Sequence, residues 1–447
     1  MSNMLETFRN AFKIPELRTK LVFTMIIVLL YRLGAAVPVP FISPDGLKAL
    51  FEQQGADSIF GYLNILAGDA FSKATLFALS ISPYITSSIV MQLLTIAIPA
   101  LERLQKSGDD GRKKITQITR YVTVLLGIIT GYGYYVTCRG YGLVLNTGFF
   151  AGLVIVACYS AGSALIMWLG EKINENGIGN GISIILFANI VSRLPSWFAS
   201  MAQRIIASVT APDAQIGSVL FEILRVVIIA AITIVIVAFV VFMSNAERRI
   251  PVQYSKRVVG RKMYGGQNTY LPIKVNMSGV MPIIFASSMV SLPATIIRFI
   301  NSNPTGFWGV VNNIFGTRSP LYIILEFALI IAFSYFYIAI SFNPVEVSNN
   351  LKKNGGFIPG IRPGVPTTQY ITKILNKLVF IGGLFLGIVS IFPLTVNAIA
   401  SVINQSWALG AIAFGGSSLL IVVGVALETT REIEAQMTMR HYKGFMD

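Results

Sequence analysis

The chain has 447 residues, of which 54% are hydrophobic and only 12% are charged, and its mean hydropathy is +0.68. Because soluble domains carry about 25% charged residues, this composition excludes an ordinary soluble protein and predicts a polytopic membrane protein. The two cysteines, Cys138 and Cys158, and the single histidine, His441, supply neither a disulfide framework nor a His/Cys metal cluster. We therefore expect no metal site and no cofactor.

The first 20 residues are polar and amphipathic, with Met4, Leu5, Phe8 and Phe12 at helical spacing. This pattern favours a helix that lies at the membrane surface. Ten apolar segments that can cross a bilayer follow it. They lie near residues 21–37, 74–98, 121–138, 150–170, 179–194, 219–243, 278–297, 321–342, 378–396 and 412–427.

A shorter apolar segment precedes the second span. Residues 59–67 are mostly apolar and are flanked by Asp57 and Asp69. A spanning helix needs roughly 20 apolar residues, so this segment cannot cross a bilayer. In water it would be an exposed apolar patch, whereas a cavity within the protein tolerates backbone that does not span.

The distribution of basic residues orients the spans. With the N-terminus inside, 26 of the 35 Lys and Arg residues fall on the cytoplasmic side. Basic residues accumulate in cytoplasmic loops, so both termini are predicted to be cytoplasmic.

The ten spans divide into two halves of five. Because each half has an odd number of spans, the second half starts on the opposite side of the membrane from the first, as in an inverted repeat. The second span of each half has an early proline, in ISPYI (81–85) and VMPII (280–284). The alternative is that proline bends two unrelated helices.

Two basic loops, 244–276 and 343–373, are too long for simple connections. Alternation in RRIPVQYSKRVV predicts an extended hairpin in the first, and Arg362 lies between two Pro-Gly pairs in the second. Positive-inside bias and attraction to anionic lipid account for part of the charge. The length, aromatic residues and Pro/Gly content favour a protruding surface for an acidic or polyanionic partner.

Other patterns predict little function. NGIGNGIS (176–183) resembles a phosphate loop, but no strand precedes it, so a tight turn is favoured. Glu326 could be a proton-relay carboxylate, but it lies early in its span, and we expect it to snorkel to the outer interface. A secondary transporter would share the inverted repeat but would place an ionisable residue at mid-membrane, whereas Arg32 and Glu326 lie near span ends. An intramembrane enzyme would need a nucleophile–base or metal constellation, and we expect no catalytic residue.

Six motifs in order resemble the SecY family, whose members are channel subunits of the Sec protein translocase. The longest are GDAFSKATLFALSISPYITSSIVMQLL (68–94), MWLGEKINENGIGNGISI (167–184) and LPIKVNMSGVMPIIFASS (271–288). The others are ERRIPVQYSKR (247–257), NNLKKNGGFIPGIRPG (349–364) and FGGSSLLIVVGV (414–425). The basic, Pro/Gly-marked loops are most similar to the bacterial branch.

The resemblance implies a protein-conducting channel that passes unfolded polypeptides across the membrane and releases membrane segments laterally. Its ten helices would form two inverted five-helix halves around a central pore. The implied division is a cytoplasmic helix 1–20, an N-terminal half 21–195 with a plug at 58–68, a C-terminal half 196–427, and a cytoplasmic tail 428–447.

The resemblance also implies roles for particular residues. The plug, which would rest in the outer funnel, includes Ile59, Phe60, Gly61, Tyr62, Leu63, Asn64, Ile65 and Leu66. The alternative for this segment is an interfacial re-entrant helix without a gating role. An apolar pore ring would comprise Ile81, Ile85, Ile182, Leu186, Ile284 and Ile421. Such a ring would exclude ions by dewetting.

The second and seventh spans, together with the third and eighth, resemble the lateral gate of the family. Ser87, Ser88 and Gln92 would give this seam polar groups, although hydrogen bonding between helices is the plainer interpretation. The residues implied in binding a motor or ribosome are Arg248, Arg249, Lys256, Arg257, Arg261, Lys262 and Arg362. The implied partners are SecE-like and SecG-like small membrane subunits, a SecA-like motor ATPase, the ribosome through its RNA, signal sequences with unfolded preproteins, and membrane lipid.

Overall fold

The fold is helical, apart from two small antiparallel sheets. The computed structural model describes residues 4–54, 64, 67–210, 216–254, 257–259, 262–264, 268–300, 306–316, 319–403 and 416–443. The helices of the first half are α1 (Met4–Lys13), α2 (Pro15–Gly34), α3 (Pro44–Gln54), α4 (Ser82–Ala97), α5 (Pro99–Lys106), α6 (Asp109–Gly140), α7 (Phe149–Asn176) and α8 (Gly181–Val191). Those that follow are α9 (Leu194–Thr210), α10 (Ile216–Asn245), α11 (Met281–Ile300), α12 (Phe307–Ile314), α13 (Pro320–Ser341), α14 (Pro344–Lys353), α15 (Val365–Ile403) and α16 (Gly416–Lys443).

Six helical stretches of the described chain are long and apolar enough to cross a membrane. They are Asp109–Gly140, Phe149–Asn176, Gly181–Thr210, Val219–Asn245, Pro320–Lys353 and Val365–Val396. A seventh results if α4 and α5 count as one broken span, in which the chain bends by 101° between the two helices. The bend occurs because Ile98, which precedes Pro99, is extended (φ −109°, ψ 111°), as steric contact with a following proline ring favours.

The predicted second span begins too early. Residues 67–80 form successive turns, and α4 begins only at Ser82. The turn segment instead pairs its backbone with the loop that follows α2, where Val39 N donates to Ala74 O at 2.9 Å and Leu76 N to Val37 O at 2.9 Å. Buried backbone groups require such partners, and these two bonds provide them outside a helix.

The first basic loop forms the predicted extended hairpin. Strand β1 (Glu247–Tyr254) pairs antiparallel with β4 (Asn268–Lys274), and β5 (Gly356–Phe357) adds to its other edge. The short strands β2 (Arg257–Val259) and β3 (Lys262–Tyr264) pair with each other. Ile250, Val252 and Ile273 are buried against Ile371 and Leu375 of α15. The sheet is therefore fixed to the helical body.

The largest apolar core lies where helices from both halves of the chain meet. Helix α8 packs on α2, α7 and α16, while α11 packs on α4, α6 and α13. The N-terminal helix α1 packs on α2 and α16, and its Ala11 is buried beside Ile433.

Candidate functional site: an apolar ring beside a polar cavity

Six aliphatic residues from four helices join one apolar cluster. Five of them are at most 6% exposed, and Ile182 is partly buried against the same cluster. The six are Ile81, Ile85, Ile182, Leu186, Ile284 and Ile421. The structure thus brings together all the residues predicted for the ring, although the same cluster also contains ordinary core residues such as Ile166.

Backbone hydrogen bonding at the start of α4 positions two of these residues. Ile81 is the N-cap of α4, and Ile85 N donates to Ile81 O at 3.0 Å. Residues four apart lie on one face of a helix, so both side chains point to the same side.

Helix α8 positions two more and is fixed at its start by two asparagines. Asn180 Oδ1 accepts hydrogen bonds from Ile182 N at 3.1 Å and Ser183 N at 3.3 Å, which caps the helix. Asn174 Oδ1 accepts from Gly181 N at 2.7 Å. The predicted turn at 176–183 is confirmed, since α7 ends at Asn176 and α8 begins at Gly181.

Glycine allows α7 and α8 to touch through their backbones. A Cβ added at Gly181 would lie 2.0 Å from Gly170 O and 2.9 Å from Ile173 Cβ, so no larger residue fits there without a shift. This close approach sets the distance between α7 and α8. It therefore also sets the position of Ile182 and Leu186 relative to α7.

A polar cavity of about 190 Å³ is lined by chain neighbours of the residues predicted for the ring. Its lining residues 276–281 precede Ile284 in the chain, those on α8 flank Ile182, and those on α16 begin at Leu420, next to Ile421. Its lining includes Asn180, Ser183, Asn276, Ser278, Glu428 and Arg431. Ser244, near the end of α10, and Lys274, the last residue of β4, also line the cavity, which therefore adjoins the base of the β1–β4 hairpin.

The cavity contains charges of both signs. Arg431 Nη2 donates to Ser244 O at 2.9 Å and to Asn245 Oδ1 at 2.6 Å, which joins α16 to the end of α10. Burial lowers the pKa of the Lys274 ammonium, and the nearby Arg431 guanidinium lowers it further. Burial raises the pKa of the Glu428 carboxyl, and the neighbouring carboxylate Glu432 adds to this shift.

The predicted gate helices α4 and α11 are in contact. Ser87 is fully buried, and its Oγ lies 2.5 Å from Thr123 Oγ1 of α6. Hydrogen bonding between helices therefore accounts for Ser87, whereas Ser88 and Gln92 are half-buried. Sequence reasoning missed two buried serines of α11, Ser287 and Ser291, although their spacing of four residues would have placed them on one face.

One residue of the predicted plug, Asn64, lies in the described part of the chain, and it is 9% exposed. Ile59, Phe60, Gly61, Tyr62, Leu63, Ile65 and Leu66 lie outside the described residues. Asn64 belongs to a polar cluster with Asp69 and Arg193, which sequence reasoning missed. The Asp69–Arg193 pair links parts of the chain more than 120 residues apart, and no local pattern signals such a pairing.

The predicted partner-binding residues occupy exposed positions where the structure describes them. Arg248 and Arg249 are exposed on β1, and Arg362 is exposed at a loop tip. Thr367 Oγ1 donates to Arg362 O at 2.9 Å, and Ser348 Oγ donates to Gly364 O at 3.0 Å, so the tip is tied to its surroundings. Arg257 lies in β2 and Lys262 in β3, and Lys256 and Arg261 lie outside the described residues.

The expectation that Glu326 snorkels to the outer interface is wrong. Its side chain is buried, with 3% exposed. Helix α13 packs on both α11 and α15, so the face that carries Glu326 is covered by protein.

A second, apolar concavity of about 690 Å³ lies between α2, α8 and α16. Met25, Leu29, Phe187 and Val425 contribute to its wall, and Arg32 lies at one end. This groove is open at the outer surface of the bundle.

Comparisons with known proteins identify the family. The model of the SecY family matches residues 75–430. The chain is 43% identical to the protein translocase subunit SecY of Streptomyces scabiei over 456 residues, which cover 99% of this chain and 100% of the relative. It is 39% identical to the protein translocase subunit SecY of Mycobacterium bovis over 467 residues, with 99% and 100% covered.

Solved structures share the fold. A structure described as a protein conducting channel matches with a TM-score of 0.64 at 18% identity, covering 94% of this chain and 92% of that one. Sec61 in the canine ribosome–channel complex matches with a TM-score of 0.60 at 17% identity, with the same coverage.

The cap on α8 generates the first prediction. Asn180→Ala removes the side chain that accepts from Ile182 N and Ser183 N, so the free energy of unfolding should fall by about 1 kcal/mol. It should also make a cysteine placed at position 182 more reactive toward a water-soluble thiol reagent, because the start of α8 loosens.

Asn343→Ala is the matched control, because Asn343 caps α14 through Val345 N and Glu346 N, away from the ring. It should lower stability by a similar amount and leave the reactivity at position 182 unchanged. Equal reactivity in both variants would show that the cap does not position the ring residues.

Proposed function

The chain belongs to the SecY family, and on that basis we propose that it forms a protein-conducting channel. The channel passes unfolded secretory polypeptides across a membrane and releases membrane-protein segments laterally into lipid. The observation that carries the proposal is the convergence of six aliphatic side chains from four helices at the edge of a polar cavity.

The ring provides a seal whose physics suits this task. Water finds no hydrogen-bond partner among aliphatic side chains, so a narrow ring of them dewets and excludes ions. An extended polypeptide can separate the same side chains, since they hold one another only by packing. The polar cavity beside the ring supplies amide, hydroxyl and charged groups for a hydrated chain that approaches it.

The proposed architecture is ten spans in two inverted halves of five, with both termini cytoplasmic in a bacterial inner membrane. The stretch Gly181–Thr210, in which α9 continues α8, and the bent pair α4–α5 would each count as one span. Broken or short spans are tolerated where neighbouring helices surround them. The excess of basic residues on the side that carries the β1–β4 hairpin supports this orientation.

The lateral exit lies in this proposal between α4 and α11. The two helices are in contact, and separating them would open the ring toward lipid. Ser88 and Gln92, both half-buried on α4, would supply polar groups at that seam. Residues 58–68 act as a plug on the outer side of the ring.

Partners are proposed from the family and from the exposed surfaces. The basic hairpin and the Arg362 loop would receive a SecA-like motor or the RNA of a ribosome, both of which present negative charge. The apolar groove between α2, α8 and α16 would receive the single span of a SecE-like subunit, with a SecG-like subunit elsewhere on the bundle. No catalytic residue is assigned, since energy would come from these partners.

A polar change in the ring tests the proposal. Ile85→Asn together with Ile182→Asn should leave abundance near normal, hydrate the constriction and raise the resting ion leak of the purified channel in planar bilayers. It should also relax the demand for a good signal sequence. Ile166→Asn is the matched control, because Ile166 is fully buried in the same cluster but is not a ring residue.

If the ring residues were ordinary core, each asparagine would bury an unpaired amide at a cost of roughly 1–3 kcal/mol and lower the folded yield. The Ile166→Asn control should show that loss of yield without a leak. A double ring mutant that behaves like the control would remove the ring assignment.

Deleting residues 58–68 tests the plug. An assembled channel without this segment should conduct ions at rest, because nothing then covers the outer side of the ring. Planar-bilayer conductance of the purified variant is the measurement. A resting conductance equal to that of the unaltered chain would favour the re-entrant helix without a gating role.

Arg362→Glu tests the cytoplasmic contact. Motor-driven transport of a preprotein into vesicles should fall sharply at matched channel levels, because the substitution reverses the charge at an exposed tip. Stability should change little, as for most exposed positions. Lys353→Glu, which reverses an exposed charge on the neighbouring helix α14, should transport normally; equal loss in both variants would indicate a general charge effect.

A further inference from the structure

The base of the β1–β4 hairpin lies directly at the end of α10. Only Ala246 separates Asn245, the last residue of α10, from Glu247, the first residue of β1. Val275 N donates to Ala246 O at 2.9 Å, and the ladder continues with Glu247 opposite Lys274. Because a single residue joins the helix to both strands, the direction of the hairpin depends on how the end of α10 is held.

The end of α10 is capped by an arginine of another helix. A helix leaves its last four carbonyl groups without partners inside the helix, and in α10 one of them belongs to Ser244, which is only 9% exposed. Arg431 Nη2 of α16 donates to Ser244 O at 2.9 Å and to Asn245 Oδ1 at 2.6 Å. A cation at a helix C-terminus is also favoured by the helix dipole. The guanidinium therefore satisfies a buried carbonyl that needs a partner.

Packing along α16 determines the position from which Arg431 reaches α10. Gly424 and Arg431 are seven residues apart, so they lie on the same side of the helix. A Cβ added at Gly424 would lie 2.6 Å from Val280 Cγ1, so α16 lies directly against the segment that leads into α11. Helix α16 also packs on α8 and α10. Arg431 is thus carried by a helix that is held on several sides.

The hairpin has a second attachment, which is apolar, further along its strands. Ile250, Val252 and Ile273 pack on α15. Apolar contacts are not directional, so a sheet attached through them alone could still rock on α15. The two hydrogen bonds of Arg431 are directional and act at the base of the hairpin. They fix the angle that the apolar contact leaves open.

The surface that this joint orients carries a basic and an aromatic side chain. Arg249 lies opposite Pro272, and Tyr270 lies opposite Pro251, so Arg249 and Tyr270 are diagonal neighbours on one face of the hairpin. Both are exposed. A guanidinium matches the oxygens of a phosphate, and an aromatic ring offers a surface on which a base can stack. This combination favours RNA over an acidic protein surface.

We propose that Arg431 is a positioning residue for the docking of RNA, because by capping α10 it fixes the angle of the basic hairpin. It thereby presents Arg249 and Tyr270 to a phosphate-bearing strand. The proposal rests on the binding of ribosomal RNA to the hairpin that is proposed above. A surface held in one orientation loses less freedom when it binds, so Arg431 strengthens binding without touching the partner.

Ribosome binding to the purified channel in vesicles, measured over a range of salt concentrations, tests this role. Arg431→Met should weaken binding severalfold at every salt concentration. It should leave the slope of log affinity against log salt unchanged, because no phosphate contact is lost. Arg249→Gln should weaken binding and also reduce that slope by about one. Arg431→Lys keeps a charged donor and should restore most of the affinity.

Two matched controls separate the cap from its charge and from α16 in general. Lys274→Met removes a positive charge from the same cavity, and Lys20→Met removes a bond from α2 to α16, in which Lys20 Nζ donates to Gln436 Oε1 at 3.3 Å. Both should bind ribosomes like the unaltered chain. Asn245→Ala removes one acceptor of the cap without a change of charge and should weaken binding less than Arg431→Met. The double variant should bind no more weakly than Arg431→Met alone, because both changes remove the same interaction.

The orientation of the hairpin can be measured without a ribosome. Spin labels at position 270 on β4 and position 435 on α16, both exposed, report the distance between the hairpin and α16 once Cys138→Ala and Cys158→Ala have removed the native thiols. Arg431→Met should broaden the distribution of this distance, and Lys20→Met should leave it unchanged.

An unchanged distance distribution in Arg431→Met would overturn the positioning role. A reduced salt slope in Arg431→Met, or an equal loss of binding in Lys274→Met, would also overturn it, since Arg431 would then act through its charge. If Arg249→Gln binds ribosomes like the unaltered chain, the docking of RNA on the hairpin fails, and the distance measurement still decides whether Arg431 fixes the hairpin. Binding of a motor ATPase, but not of ribosomes, with the same dependence on Arg431 would overturn the choice of RNA.

Discussion

The contact between the backbones of α7 and α8 determines the position of most of the candidate site. Because Gly181 lies against Gly170 O, α8 can start immediately beside α7, and Asn174 and Asn180 satisfy its first amides there. From that fixed start, Ile182 and Leu186 reach the apolar cluster. The end of the same helix reaches Gly68 through Asn189. This helix of 11 residues is thus the element to which the other parts of the site are fitted.

Local sequence patterns predicted the parts of the fold that depend on local physics. The turn at 176–183 and the extended hairpin of the first basic loop are both present, because glycine content and alternation act over a few residues. The six ring residues required the family resemblance, since an isoleucine in an apolar helix carries no sign of its partners. The non-helical segment 67–80 was missed because its apolar composition suits a helix, whereas its hydrogen bonds go to residues 37–39. The burial of Glu326 and the Asp69–Arg193 pair were missed for the same reason: both depend on distant elements.

The β1–β4 hairpin has its own connection to the predicted ring. Helix α16 carries Ile421 in the ring and Arg431 ten residues later, where the guanidinium bonds to the end of α10. Strand β1 begins two residues after α10 ends, and Ser244 of α10 and Arg431 of α16 both line the polar cavity. Under the proposed function, a partner that binds the hairpin would act on the ring residues through this short path.

Disulfide crosslinking of a translocation-arrested polypeptide tests the central claim most directly, namely that the polypeptide passes through the apolar ring. A cysteine in the arrested chain would be paired in turn with cysteines placed at Leu186, at Ile421 and at Leu125, a residue 58% exposed on the outer face of α6. The account predicts crosslinks to positions 186 and 421 and none to position 125. Crosslinks to position 125 without any to the ring positions would contradict it.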